Sequence, residues 1–173
     1  MAAHTSSPSH DEPVVLGVDG FPQWSRTYAD AWIGLLATHR RLTRELDAEL
    51  EAAHGLTLSG LELLARLASA PERRLRLSAL AGEAGLSLSR VSRIVDVLEA
   101  RGLVERQNCP ADARAINAQL TDAGLVLAQA AQSTHLAAVR ERFFDRLDER
   151  EIATLAEVFA RFAPDAPSTC SAG

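Results

Sequence analysis

The sequence predicts a mainly α-helical fold with one small β-hairpin set into it. Three observations carry that reading. Apolar residues recur at spacings of three, four and seven through most of the chain, and two shorter helical patterns meet at Gly85. The stretch "QNCPADARAINAQLT", residues 107–121, breaks the helical period with a Pro-Ala-Asp turn followed by alternating apolar and polar residues.

The bulk properties narrow the class. A chain of 173 residues with 47% hydrophobic content can bury one core, with an oligomerisation arm to spare. No apolar run approaches the roughly 18 residues of a membrane span, and "MAAHTSSPSHDEP" lacks the basic-then-apolar layout of a secretory signal. Cys109 and Cys170 form no CxxC pair or disulfide framework, which fits a reducing, cytoplasmic setting. All 18 basic residues are arginine, which together with abundant alanine reads as coding bias. The net charge of -5 argues against a nonspecific polyanion binder. It leaves room for local basic patches, because salt limits electrostatic reach to about 8–10 Å.

Residues 1–22, rich in Ser, Pro, His and Gly, are expected to form a mostly flexible arm. From Trp24, the stripe Tyr28, Trp32, Leu35, Leu42, Leu46 and Leu50 marks a long amphipathic helix, which His54-Gly55 stops near Ala53. Ser59 and Glu62 have the spacing of a capping box for a short helix to Ser69, and Pro71 closes it. Leu77, Leu80, Ala81 and Ala84 line the next helix, and Gly85 supplies the turn. Val91, Ile94, Val95 and Leu98 line a longer helix that Gly102 ends. "GLVER" and "AINAQL" read as the two strands of a hairpin. Thr121 caps an Ala-rich helix to about Arg146, and Asp148 with Glu151 starts a last one carrying Ile152, Leu155, Val158, Phe159 and Phe162.

Two helices joined by a tight Gly-containing turn form a helix-turn-helix. Opposite the apolar stripe of the second helix stand Ser87, Ser89, Arg90, Ser92 and Arg93. The first turns of such a helix meet base edges in the major groove. Serine serves donors or acceptors there, and arginine bonds bidentately to guanine. A hairpin directly after this helix is either a wing, with a tip that approaches the DNA backbone or minor groove, or a solvated hairpin in which Asp112 and Arg114 form an incidental ion pair. Arg114 suits the negative potential of a narrow minor groove, and Asp112 is placed to hold its guanidinium by a charge-assisted bond.

Taken together, "LTLSGLELLARLA", "LSALAGEAGLSLSRVSRIVDVLEARGLVER" and "PADARAINAQLTDAG" resemble the MarR family of winged helix-turn-helix regulators. Its wing signature, Asp-x-Arg, a short strand, then Leu-Thr-x-x-Gly, falls on Asp112, Arg114, Leu120, Thr121 and Gly124. "LEARGLVER" is similar to the family's passage from helix to wing. Ala115 departs from it, since many members carry a second basic residue there.

The resemblance implies a homodimer on a pseudo-palindromic double-stranded operator. It places a MarR-like domain at 23–163, with a DNA-binding winged helix at 56–120 and dimerisation helices at 23–55 and 121–163; residues 164–173 are expected to be a disordered tail. It also implies a repressor released by a small aromatic or anionic effector. Trp24, Tyr28, Trp32 and His39 are the residues here that suit such a ligand. Cys109 does not match the first-helix cysteine of the family's redox-sensing members. The five histidines show no metal spacing, and no phosphate loop, GxSxG elbow or paired-carboxylate site is present. No enzymatic activity, metal, cofactor or membrane association is therefore expected. The alternative function is a winged-helix module that docks a protein through the same helix.

Overall fold

The computed structural model describes residues 13–109 and 112–162, the side chains of 108, 109 and 112–115 lying outside that description. The chain divides into two units, Met1–Glu45 and Leu46–Gly173.

In the first unit, β1 (Val14–Leu16) pairs antiparallel with β2 (Pro22–Trp24), Val14 facing Trp24 and Leu16 facing Pro22. These residues form a hairpin where the composition of residues 1–22 suggests a flexible arm. The signal for it is Asp19-Gly20: Gly20 takes φ 76° and the Asp19 carboxylate accepts the Phe21 amide at 3.2 Å. The helix α1 (Arg26–His54) therefore starts after Trp24, whose ring stacks on Tyr28 at 6.5 Å.

The second unit takes in the end of α1, with Leu46 and Leu50 buried. The helix α2 (Leu58–Ser69) buries Leu61, Leu63, Leu64 and Leu67 and lies at the centre of the core. Its cap is Thr57, whose hydroxyl accepts the Gly60 amide at 3.0 Å, and not Ser59. Both residue types can cap, but the backbone leaves extended geometry at Thr57. Ser59 thus falls in the first turn, and Glu62 pairs forward with Arg66 at 2.8 Å.

After Pro71, Glu72 and Arg73 both adopt left-handed backbone, with φ of 53° and 54°. Such residues cost about 1 kcal/mol or more each and persist only where neighbours hold them. Here Arg73 bonds Asp122 at 2.8 Å, and Glu72 pairs with Arg74. The reversal starts a strand that no sequence pattern marks, β3 (Arg74–Arg76), too short to show alternation. The helices α3 (Leu77–Ala84) and α4 (Leu88–Ala100) follow, joined through Gly85 at φ 63°.

The hairpin consists of β4 (Val104–Cys109) and β5 (Asp112–Leu120). It runs closer to its tip than the two short strands expected. The sheet order is β3-β5-β4, all antiparallel, with Val104 opposite Leu120 and Arg106 opposite Ala118.

The helix α5 (Asp122–Arg142) ends before the expected Arg146 because Phe143 leaves helical geometry. Adjacent helical side chains do not face each other, whereas the Phe143 and Phe144 rings meet edge to face at 5.2 Å. A 3-10 turn, Phe144–Arg146, leads to α6 (Glu149–Ala160), opened by the capping box of Asp148 and Glu151. The end of α1 is tied to α5 by His54 with Thr134 at 2.8 Å and by Glu49 with Arg142 at 2.6 Å. In α5, burial lowers the pKa of His135, which favours its neutral ring.

The sheet, α4 and α5 meet at Leu103. Gly102, at φ 69°, ends α4, and the Leu103 amide donates back to the Leu98 carbonyl at 3.0 Å. Thr121 donates its amide to the Leu103 carbonyl at 3.1 Å, and its hydroxyl reaches the Gly102 carbonyl at 2.8 Å. The same hydroxyl oxygen accepts the Gly124 amide at 2.9 Å and so caps α5. A Cβ at position 124 would stand 2.1 Å from the Leu103 carbonyl oxygen and 2.8 Å from Leu120 Cδ1. Only glycine allows this approach. Gly124→Ala is therefore expected to destabilise the chain by roughly 1–3 kcal/mol, the range for overpacking. A lowered urea midpoint would show it, and an unchanged midpoint would contradict the reading.

Candidate nucleic-acid interface

The inner face of α4 is locked in the core: Val91, Val95 and Leu98 are buried and Ile94 packs against them. Their periodicity turns Ser89, Arg90 and Arg93 outward, and all three are exposed. The helix is oriented by its buried stripe, so its polar face is presented without any special device.

The five residues expected to read bases have different duties. Ser87 is the N-cap, accepting the Arg90 amide at 3.3 Å, and its hydroxyl lies 3.2 Å from that of Ser89. Ser92 is half-buried, and its hydroxyl already accepts from Arg106 at 3.2 Å. Arg90 makes one long contact, 3.5 Å, to Ser59 on α2. Among the described residues no carboxylate pairs with Arg90 or Arg93. Arg66, Arg73, Arg74, Arg106 and Arg140 each have one. Positive charge is therefore left unneutralised on this face of an acidic chain, within the short range over which it acts.

The backbone places Asp112 and Arg114 on β5 toward the hairpin tip, beside α4 in chain order. Their side chains, and that of Cys109, lie outside the described residues. Arg106, the cation nearest to Cys109 in sequence, is committed elsewhere: it bonds Asp96 at 2.5 Å and Glu99 at 2.7 Å. Burial, the largest influence on its pKa, acts to lower it, but bonding to these two carboxylates outweighs it and the pKa is raised.

Three further residues shape the surface. Leu88 lies three and seven residues before Val91 and Val95, in phase with the buried stripe, yet it is 53% exposed because the core does not extend to the first turn of α4. Arg101 binds the carbonyls of Gly55 and His54, at 2.5 and 2.9 Å, holding the end of α4 to the C-terminus of α1. Arg106 does the corresponding work for the wing. Arg101 has no local sequence signal, since its partners are remote in the chain, whereas Arg106 closes the "LEARGLVER" passage and finds its partners 7–14 residues back on α4.

Trp24 and Tyr28 are brought together by stacking, while Trp32 and His39 are exposed further along α1. Three cavities, of about 750, 520 and 380 Å³, are lined by other residues. No group of three or more metal-ligating side chains occurs among the described residues, and no described helix is long and apolar enough to cross a membrane.

A MarR family profile matches residues 54–115, from the end of α1 into the wing. Sco3205, a MarR family transcriptional regulator from Streptomyces coelicolor solved in complex with DNA, is 33% identical. That comparison covers 88% of this chain and 97% of the other, with a TM-score of 0.76. AbsC, a MarR family transcriptional regulator from the same organism, is 32% identical over 82% of this chain and 95% of its own, with a TM-score of 0.75. The YusO protein of Bacillus subtilis is 26% identical over 82% and 97%, with a TM-score of 0.60. No curated protein matches the sequence. Identity of about a third, sustained over nearly the whole of both Streptomyces chains, agrees with the helix-turn-helix and three-stranded wing sheet. The chain belongs to the MarR family of DNA-binding transcriptional regulators.

Proposed function

We propose that the chain is a homodimeric repressor that reads a pseudo-palindromic operator with α4 in the major groove and the wing arginine in the adjacent minor groove. The observation that carries this is the exposed Ser89, Arg90 and Arg93 face, where no carboxylate among the described residues pairs with either arginine, on a helix fixed by its buried stripe. The DNA complex of the relative Sco3205 supports DNA as the partner of this fold.

Unpartnered apolar surface supports the dimer. Trp32 is 52% exposed in the first unit; in the second, α6 only half-buries Ile152, Leu155 and Val158, and Phe159 and, just beyond the helix, Phe162 are 46% and 80% exposed. A two-fold pair would set its half-sites about 34–36 Å apart.

We further propose release by a small aromatic or anionic effector on the Trp24, Tyr28, Trp32 and His39 face. Its support is the stacked, half-exposed Trp24–Tyr28 pair. Loss of bound duplex on adding aromatic carboxylates is expected in the wild type and not in Trp32→Ala. A screen in which none of these compounds alters binding would remove this part of the reading.

The main test is a titration with duplex from upstream of the protein's own gene and with a scrambled duplex, at several salt concentrations. The upstream duplex is expected to bind more tightly, with affinity falling as salt rises. Binding no better than to scrambled duplex at any salt would favour the protein-docking alternative. Arg114→Ala is expected to weaken binding to all duplexes while leaving the dimer and thermal midpoint unchanged; affinity equal to wild type would remove the wing arginine from the interface. Arg93→Ala should instead relax preference at one base pair per half-site by about 1–3 kcal/mol. An unaltered preference profile would show that this side chain reads no base.

A further inference from the structure

Arg106 makes five hydrogen bonds from the wing into the recognition helix. It stands on β4 opposite Ala118, so its backbone is part of the wing sheet. One guanidinium nitrogen donates to Asp96 Oδ1 at 2.5 Å and Glu99 Oε2 at 2.7 Å, and the other to the Ser92 carbonyl at 3.0 Å and hydroxyl at 3.2 Å. The Arg106 amide donates to Glu99 Oε1 at 3.1 Å. The three partners lie on successive turns of α4, so the contact spans its length instead of touching one point. The side chain is only 21% exposed, which limits the screening that weakens surface ion pairs.

We propose that Arg106 is the positioning residue that sets the pitch of the wing against α4, so that major- and minor-groove contacts are made together. A β-hairpin held only at its base can swing about the strand ends. Here the base is fixed at Leu103 and Thr121, β3 pairs with β5 along one edge as far as Asn117, and Arg106 adds, from the β4 edge, the attachment to α4. The β3 pairing holds the hairpin within its sheet, and the Arg106 bonds fix the pitch of that sheet against α4. The planar guanidinium fork reaches carboxylates and a carbonyl at once, which a lysine ammonium does not do with the same geometry. The same bonds neutralise Asp96 and Glu99, two carboxylates on the helix that faces DNA.

This inference rests on the reading that Arg114 contacts DNA, and the test separates the two. Operator affinity is measured for wild type, Arg106→Gln, Arg114→Ala and the double variant, with thermal unfolding recorded for each. Arg106→Lys is carried in parallel, both alone and with Arg114→Ala, and supplies the cycle should the glutamine variant fail to fold. Arg106→Gln is expected to weaken binding roughly tenfold, the worth of one well-placed contact, and Arg106→Lys by less. In the Arg114→Ala background each substitution should cost less than about twofold, because the contact that Arg106 positions is already gone. An equal loss in both backgrounds would overturn the positioning role and leave Arg106 as a structural or charge-neutralising residue. If Arg114→Ala alone has no effect, the wing contact itself fails and the inference falls with it.

Discussion

The winged unit depends on one close approach, the first turn of α5 against the carbonyl of Leu103. Gly124 gives up its side chain so that the helix can sit there, and Thr121 supplies both the cap of α5 and the bonds to Gly102 and Leu103. The end of the recognition helix, the root of the wing and the start of α5 are thereby joined within a few residues. Backbone carbonyls are stiff partners compared with long side chains, so this junction tolerates little displacement. Thr121 and Gly124 thus perform complementary tasks in one junction: one satisfies the backbone groups there, and the other gives them room.

Around that junction the charges are sorted by use. Arginines that carry structure are paired: Arg73 with Asp122 beside the strained turn, Arg142 with Glu49 between helices, and Arg106 with Asp96 and Glu99 between wing and helix. Arg90 and Arg93, on the exposed face of α4, have no such carboxylates among the described residues. A chain of net charge -5 can therefore present a locally cationic face to DNA. Its overall acidity disfavours indiscriminate binding to polyanions.

Much of this was legible in the sequence because the signals are local. The Val91, Ile94, Val95 and Leu98 period orients α4, Gly85 and Gly102 mark its limits, and Asp148 with Glu151 announces α6. What escaped depends on distance or on choices between equals. Thr57 and Ser59 can both cap, and only the chain path selects Thr57. The strand β3 exists because β5 is there to pair with it. Leu88 falls on the apolar stripe but beyond the reach of the core, and Arg101 and Arg106 find their partners only after folding. In the first unit, Asp19-Gly20 was a local signal hidden by the polar composition around it.

The most direct test of a reading head that engages two grooves at once is a paired footprint on the bound upstream duplex. Methylation protection reports guanine N7 in the major groove, and hydroxyl-radical cleavage reports the sugars along the minor groove. The geometry predicts both protections side by side, repeated about 34–36 Å further along the same face of the duplex. Protection in one groove only, or a single unrepeated patch, would contradict a two-fold dimer reading DNA through α4 and the wing together.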